Sequence, residues 1–85
     1  MHLNGQAAIV TGGASGLGGA TAQFLAQAGA KVTIFDMNAE LGEDKAAAIG
    51  GKFLRVDVTD ESAVEAAIAE AEGLHGKARI LVNCA

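Results

Sequence analysis

Thr11-Gly12-Gly13-Ala14-Ser15-Gly16-Leu17-Gly18 is the stretch whose residue types and spacing could do chemistry with least help from the rest of the chain. It follows a short apolar run, Ala7 to Val10, and precedes an Ala-rich segment of helical period. Glycine suits three tasks there: a sharp turn out of a strand, close approach of backbone N–H groups to an anion, and a helix that starts tight against a sheet. Gly12, Gly16 and Gly18 stand where these tasks fall. A helix opening near Gly16 would present the positive end of its dipole and its unpaired first-turn N–H groups. A pyrophosphate could therefore be held by backbone, without a basic side chain.

Further along, Asp36 closes an apolar run ~20 residues past the start of the glycine turn, the offset at which a carboxylate reaches an adenosine ribose. Its two oxygens can accept from both ribose hydroxyls. The same charge would repel a 2′-phosphate, and Ala14, Ser15 and Met37 offer no cation against it, so the reading favours NAD over NADP. The plain alternative is a strand-ending Asp in a solvated turn. Asp57-Val58 closes the next run just before Thr59-Asp60, either of which can cap a helix while Asp57 points elsewhere. Cys84, the single cysteine, reads as a small buried hydrophobe at a strand end, since no neighbouring His or Lys would lower its thiol pKa. His2 and His75 have no second ligand at metal spacing and read as solvated.

The elements that must position these residues follow from changes of hydrophobic period. Ala7–Val10, Lys31–Phe35, Lys52–Val56 and Arg79–Val82 are short apolar runs flanked by turn residues, as parallel strands covered on both faces require. Between them lie three helical patterns. The first runs from about Gly16 to Ala28 with Ala20, Phe24, Leu25 and Ala28 on its inner face, and Gly29 ends it. The second, from Ala39 to Ile49, starts behind Asn38 and stops at Gly50-Gly51. The third has Asp60 and Glu61 at its positive end and Val64, Ala67, Ile68 and Ala71 at helical spacing. The acidic positions from Glu40 to Asp44 and from Glu61 to Glu72 read as exposed helix faces. The order β-α-β-α-β-α-β predicts an α/β fold: the opening portion of a Rossmann-type doubly wound parallel sheet, strand order 3-2-1-4. That order leaves Ile80-Leu81-Val82 on an unpaired apolar edge, which natural sheets cover. Residues 1–85 are accordingly expected to be the N-terminal part of one dinucleotide-binding domain, completed by the remainder of that domain or by a companion chain.

Composition narrows the function classes. Hydrophobic residues make up 51% of the 85, with 12 Gly, no Pro and a net charge of −4. The acidic balance argues against nucleic acid or an anionic membrane as partner, because either needs a basic face. One cysteine excludes an internal disulfide framework and a zinc knuckle, which suits a reducing, cytoplasmic setting. Met1-His2-Leu3-Asn4-Gly5 has neither the cationic nor the long apolar region of an export signal.

The glycine pattern is neither of the two common phosphate-binding fingerprints. G-x-G-x-x-G would need glycine where Thr21 stands, and a P-loop would need Lys where Gly19 stands. What is present is T-G-x-x-x-G-x-G, the form found in the short-chain dehydrogenase/reductase family, which the chain resembles from its first strand to its last residue. Asn83-Cys84-Ala85 is similar to that family's Asn-Asn-Ala-Gly segment, with Cys84 in place of the second Asn. Together with Thr11–Gly18 it resembles the type II 3-hydroxyacyl-CoA dehydrogenase branch, which also acts on hydroxysteroids. The resemblance implies hydride transfer between NAD and a secondary alcohol or ketone. It implies that Ser15 and Leu17 hold the pyrophosphate side and Asp36 the ribose. Asp57 then meets the exocyclic amine of adenine, the Val58 N–H meets a ring nitrogen, and Asn83, Cys84 and Ala85 lie along the nucleotide. It implies a Tyr general acid/base with Lys and Ser, and a tetramer acting on a small-molecule substrate. The chain has no Tyr, so it could bind cofactor without supplying the chemistry. A 3-oxoacyl-carrier-protein reductase or sugar-alcohol dehydrogenase of the same fold, and a non-catalytic nucleotide-binding module, stay open as alternatives.

Overall fold

The computed structural model describes residues 3–84; Met1, His2 and Ala85 lie outside them, and with them the readings made for His2 and Ala85. The element order is β1 (Ala7–Thr11), α1 (Gly16–Gln27), β2 (Lys31–Asp36), α2 (Ala39–Ile49), β3 (Lys52–Arg55), α3 (Glu61–His75) and β4 (Ala78–Asn83). The strands form one parallel sheet in the order β3-β2-β1-β4, as the alternation of elements predicts. β1 and β2 occupy its centre, which explains their unbroken apolar runs: Ile9, Val10, Val32, Ile34 and Phe35 are all shielded from water.

Side chains alternate between two cores. Ala8, Val10, Val32 and Ile34 meet Ala22 and Leu25 of α1 and Ala46 of α2 on one face. Ile9, Phe35 and Val56 meet Ala67 and Ala71 of α3 on the other, with Val64 and Ile68 packed alongside. A sheet covered by helices on both faces sends every strand end to its rim, so polar chemistry collects there.

Three strands overrun the expected limits by one or two residues, and the additions at their carboxyl ends are polar. β1 ends on Thr11, β2 on Asp36 and β4 on Asn83. β3 instead stops at Arg55, one short of Val56, whose N–H still donates to the Asp36 carbonyl at 3.1 Å. Asn38 caps α2 by accepting from the Leu41 N–H at 3.0 Å, and Gly50 ends it in the left-handed conformation. At α3 the cap is Asp60, not Thr59: its carboxylate accepts from the Ala63 N–H at 3.2 Å.

Two expectations need correction. The buried face of α1 is Gly18, Gly19, Ala22 and Leu25, while Phe24 is 54% exposed and Ala20 faces water. The phase of the helix is set where it touches the glycine turn through Gly18, and Phe24 then falls on the opposite side. On the edge strand β4, Ile80 and Val82 pack against the first core, and it is Leu81, on the α3 side, that is 61% exposed.

Candidate functional site

The N-termini of α1, α2 and α3 and the carboxyl ends of the strands meet at one rim of the sheet, and nearly all the residues singled out by sequence stand there. The glycine turn is built by local geometry. Gly12 and Gly16 adopt φ of +67° and +60°, where side chains are strained. A Cβ on Gly18 would overlap the Gly12 carbonyl oxygen, so α1 lies directly on the turn that precedes it. Gly13, which sequence reasoning passed over, is also confined: a Cβ there would meet Ile34 Cγ2 at 3.0 Å.

The first bond of α1 runs from the Gly19 N–H to the Ser15 carbonyl, 3.1 Å, so the N–H groups of Gly16, Leu17 and Gly18 precede the helical ladder. Ser15 is the N-cap residue, yet its side chain makes no capping bond. It is exposed, as is Leu17 at 78%. First-turn amides outside the helical ladder, a hydroxyl not used by the helix and a positive dipole end form a cradle suited to an anion.

Asp36 is fastened beside this cradle. One carboxylate oxygen accepts from the Ala14 N–H at 3.2 Å, the other from the Asn38 N–H at 3.0 Å. The carboxylate thus ties the glycine turn to the start of α2 and remains at the rim. Arg55, its register partner on β3, donates from Nε to the Met37 carbonyl at 3.3 Å. Asp36 and Gly12 line a shallow groove of about 110 Å³, completed by Phe35, Met37, Val56 and Val58.

Asp57 and Val58 follow β3 on the far side of that groove. Asp57 is fully exposed, and one of its oxygens accepts from both the Thr59 N–H, 2.9 Å, and the Thr59 hydroxyl, 2.6 Å. These two donors hold the Asp57 carboxyl below the ordinary carboxylate range, with a smaller contribution from Arg55. Asn83 and Cys84 close the other flank through Thr11. The Thr11 hydroxyl donates to Asn83 Oδ1 at 2.7 Å, and the Cys84 N–H reaches the Thr11 carbonyl at 3.1 Å and its hydroxyl at 3.2 Å. Cys84 itself is half-buried against the α1 core, close to Gly18. Sequence reasoning took Thr11 only as the head of the glycine run. Its place as the last residue of a strand was the available signal.

His75 lies at the opposite rim and is half-buried, where its position past a helix suggested a solvated side chain. Its Nε2 is buried without a hydrogen-bond partner, and burial, with Lys31 and Lys52 nearby, lowers its pKa from the ordinary 6.5. Among the described residues no group of three His, Cys, Asp or Glu could hold a metal ion, and no helix is long and apolar enough to cross a membrane.

Residues 6–85 match the family described as short chain dehydrogenase. The chain belongs to that family. The 3-hydroxyacyl-CoA dehydrogenase type-2 of Drosophila melanogaster is 47% identical over 79 residues, 91% of this chain and 31% of its own length. Among solved structures, a Brucella melitensis 16M protein described as ribose-5-phosphate isomerase superposes with a TM-score of 0.91 at 44% identity, covering 96% of this chain and 32% of that one. The citronellol catabolism dehydrogenase of Pseudomonas aeruginosa PAO1 gives 0.88 at 39% identity, covering 94% and 36%. The chain spans about a third of the length of the curated relatives it matches.

Proposed function

We propose that this chain is the NAD-binding part of a dehydrogenase that moves a hydride between NAD(H) and a secondary alcohol or ketone, with a 3-hydroxyacyl-CoA as substrate. The observation that carries the cofactor reading is Asp36: a carboxylate held by two backbone N–H groups, one of them from the glycine turn itself. The cradle fits the group, because Gly18 leaves no room for a side chain against the Gly12 carbonyl where the turn meets α1, and the Ser15 hydroxyl is left unused by the helix. Bound there, the dinucleotide would accept or return the hydride at its nicotinamide ring.

In this reading Ser15, Gly16 and Leu17 bind the diphosphate through amides and the Ser15 hydroxyl, while Gly12, whose N–H donates to the Phe35 carbonyl at 2.8 Å, and Gly18 give the site its shape. Asp36 accepts from the ribose hydroxyls, Asp57 and Val58 hold adenine, and Asn83, Cys84 and Ala85 flank the nucleotide. The 3-hydroxyacyl-CoA substrate rests on the Asn83-Cys84-Ala85 variation and on relatives of that name from fly and human. The chain holds no Tyr. The Ser, Tyr and Lys of the reaction therefore belong to the remainder of the same domain or to a companion chain, in a cytoplasmic tetramer.

The test is a fluorescence titration of the chain with NADH and NADPH. NADH should bind at least roughly tenfold more tightly, about 1.4 kcal/mol. Equal affinity for the two would remove the Asp36 assignment, and no binding of either would remove the nucleotide site. Hydride transfer is then assayed in a protein that joins this sequence to a Ser and Tyr-x-x-x-Lys segment. Turnover of a 3-oxoacyl-carrier protein in place of a 3-hydroxyacyl-CoA would assign the reductase instead.

A further inference from the structure

We infer that Arg55 is a specificity-determining residue: it is the cation that counters the repulsion of a 2′-phosphate by Asp36, and so sets how far the site discriminates between NADH and NADPH. This rests on the reading of Asp36 as the ribose acceptor. Asp36 and Arg55 are register partners on the neighbouring parallel strands β2 and β3. Ile34, two residues before Asp36, and Phe53, two before Arg55, both pack into the core that α1 and α2 cover. Side chains repeat with period two along a strand, so Asp36 and Arg55 leave the sheet on that same face, from backbones roughly 4.8 Å apart. Arg55 is exposed, and its Nε donates to the Met37 carbonyl at 3.3 Å. That bond holds the guanidinium against the residue that follows Asp36 and uses only one of its donors. Among the described residues its terminal nitrogens have no bonded acceptor.

The distribution of charge singles Arg55 out. Of the six Lys and Arg residues, Lys31, Lys52, Lys77 and Arg79 stand at the amino ends of the strands, and Lys45 on α2 donates from Nζ to Gln23 Oε1 at 3.2 Å. Arg55, the last residue of β3, is the one at a carboxyl end. A search for a cation at Ala14, Ser15 and Met37 misses it, because it lies 18 residues beyond the carbonyl it bonds. Its charged neighbours on the strand ends, Asp36 and Asp57, are both acidic. A ribose with a free 2′-hydroxyl is uncharged and gains nothing from Arg55. A 2′-phosphate carries about two negative charges at neutral pH and meets a planar group whose parallel N–H donors match phosphate oxygens. Water screens an attraction between exposed groups, which keeps it to a modest factor. Asp36, bonded to the ribose itself, therefore fixes which nucleotide is preferred, and Arg55 fixes by how much.

The experiment is a fluorescence titration of the full chain with NADH and with NADPH, wild type against two variants. Arg55→Gln keeps a donor for the Met37 carbonyl and removes the charge. It should weaken NADPH roughly three- to tenfold while leaving NADH within roughly twofold, so that the preference for NADH widens. Arg55→Lys keeps the charge without the planar fork and should recover most of the NADPH binding that Arg55→Gln loses. The gap between wild type and Arg55→Gln should also close as salt is raised from roughly 0.05 to 0.5 M, because exposed charges are screened over a shorter length. An Arg55 that merely straps Met37 would weaken both nucleotides alike and leave their ratio unmoved, which overturns the inference. Tighter NADPH binding on removal of the charge overturns it as well. Wild type preferring NADH, with the same ratio in Arg55→Gln, removes Arg55 and leaves Asp36 standing. Equal affinities in wild type end the ribose reading, and this inference with it.

Discussion

The two rims of the sheet carry opposite charges and make opposite use of them. At the carboxyl rim, where three helices begin, stand Asp36, Asp57 and Asp60, each fastened by backbone N–H groups at 2.9–3.2 Å. At the amino rim, where the same helices end, stand Lys31, Lys52, Lys77 and Arg79, four of the six Lys and Arg residues. Both arrangements complement the helix dipoles. Lys77, Arg79, Asn4, Gln6 and His75 also line the larger hollow, about 500 Å³ against about 110 Å³ for the groove beside Asp36. Size therefore does not mark the candidate site. What separates the rims is confinement: at the carboxyl rim the polar atoms are held in fixed directions and remain accessible.

Substitutions can break that contrast. The same change at glycines near the two rims should have opposite signs. Gly18→Ala forces a Cβ into the Gly12 carbonyl and should cost about 3 kcal/mol in denaturant unfolding, with loss of NADH binding. A cost under about 0.5 kcal/mol would mean that the turn yields easily. Asp36→Ala leaves two N–H groups without their acceptor and should weaken NADH roughly tenfold while leaving NADPH nearly unchanged. Lys77→Ala combined with Arg79→Ala, at the amino rim, should leave both affinities within roughly twofold, and a large drop would move the site. Gly73→Ala, in the last turns of α3 with open space around it, should stabilise the fold by about 0.5–1 kcal/mol.

The smallest effect is a pH dependence at His75. Its folded pKa lies below the ordinary 6.5 of the unfolded chain, so in the window between the two values the unfolded state binds a proton that the folded state refuses. Stability is fully present above 6.5 and declines as pH falls through the lowered value. Melting curves across that window should flatten in His75→Gln. An unchanged slope would assign the dependence to other groups.

Much of this was legible in the sequence because the determinants are local. A glycine permits the positive φ its turn needs, an Asn or Asp caps the helix that follows it, and short continuous apolar runs alternate with segments of 3.6-residue period. Those signals predicted four strands, three helices and the sheet order. They also put the glycine turn and Asp36 on one rim. The errors arose where a distant partner decides. The phase of α1 depends on Gly18 meeting Gly12, so Phe24 faces water. Thr11 gains its importance from Asn83, 72 positions away. His75 stands near Val32, Lys31 and Lys52, positions that no local window contains.

The Thr11 clasp also divides the mouth of the site by how its parts come undone. The turn is closed within positions 12 to 18, whereas Asn83 and Cys84 are held there only while β4 stays on β1, its one neighbour among the described strands. Separating β4 from β1 would release the flank beside Cys84 and leave the glycine turn intact. One flank of the rim is thus held by a strand pairing and the other by a turn closed on itself, on strands roughly 4.8 Å apart.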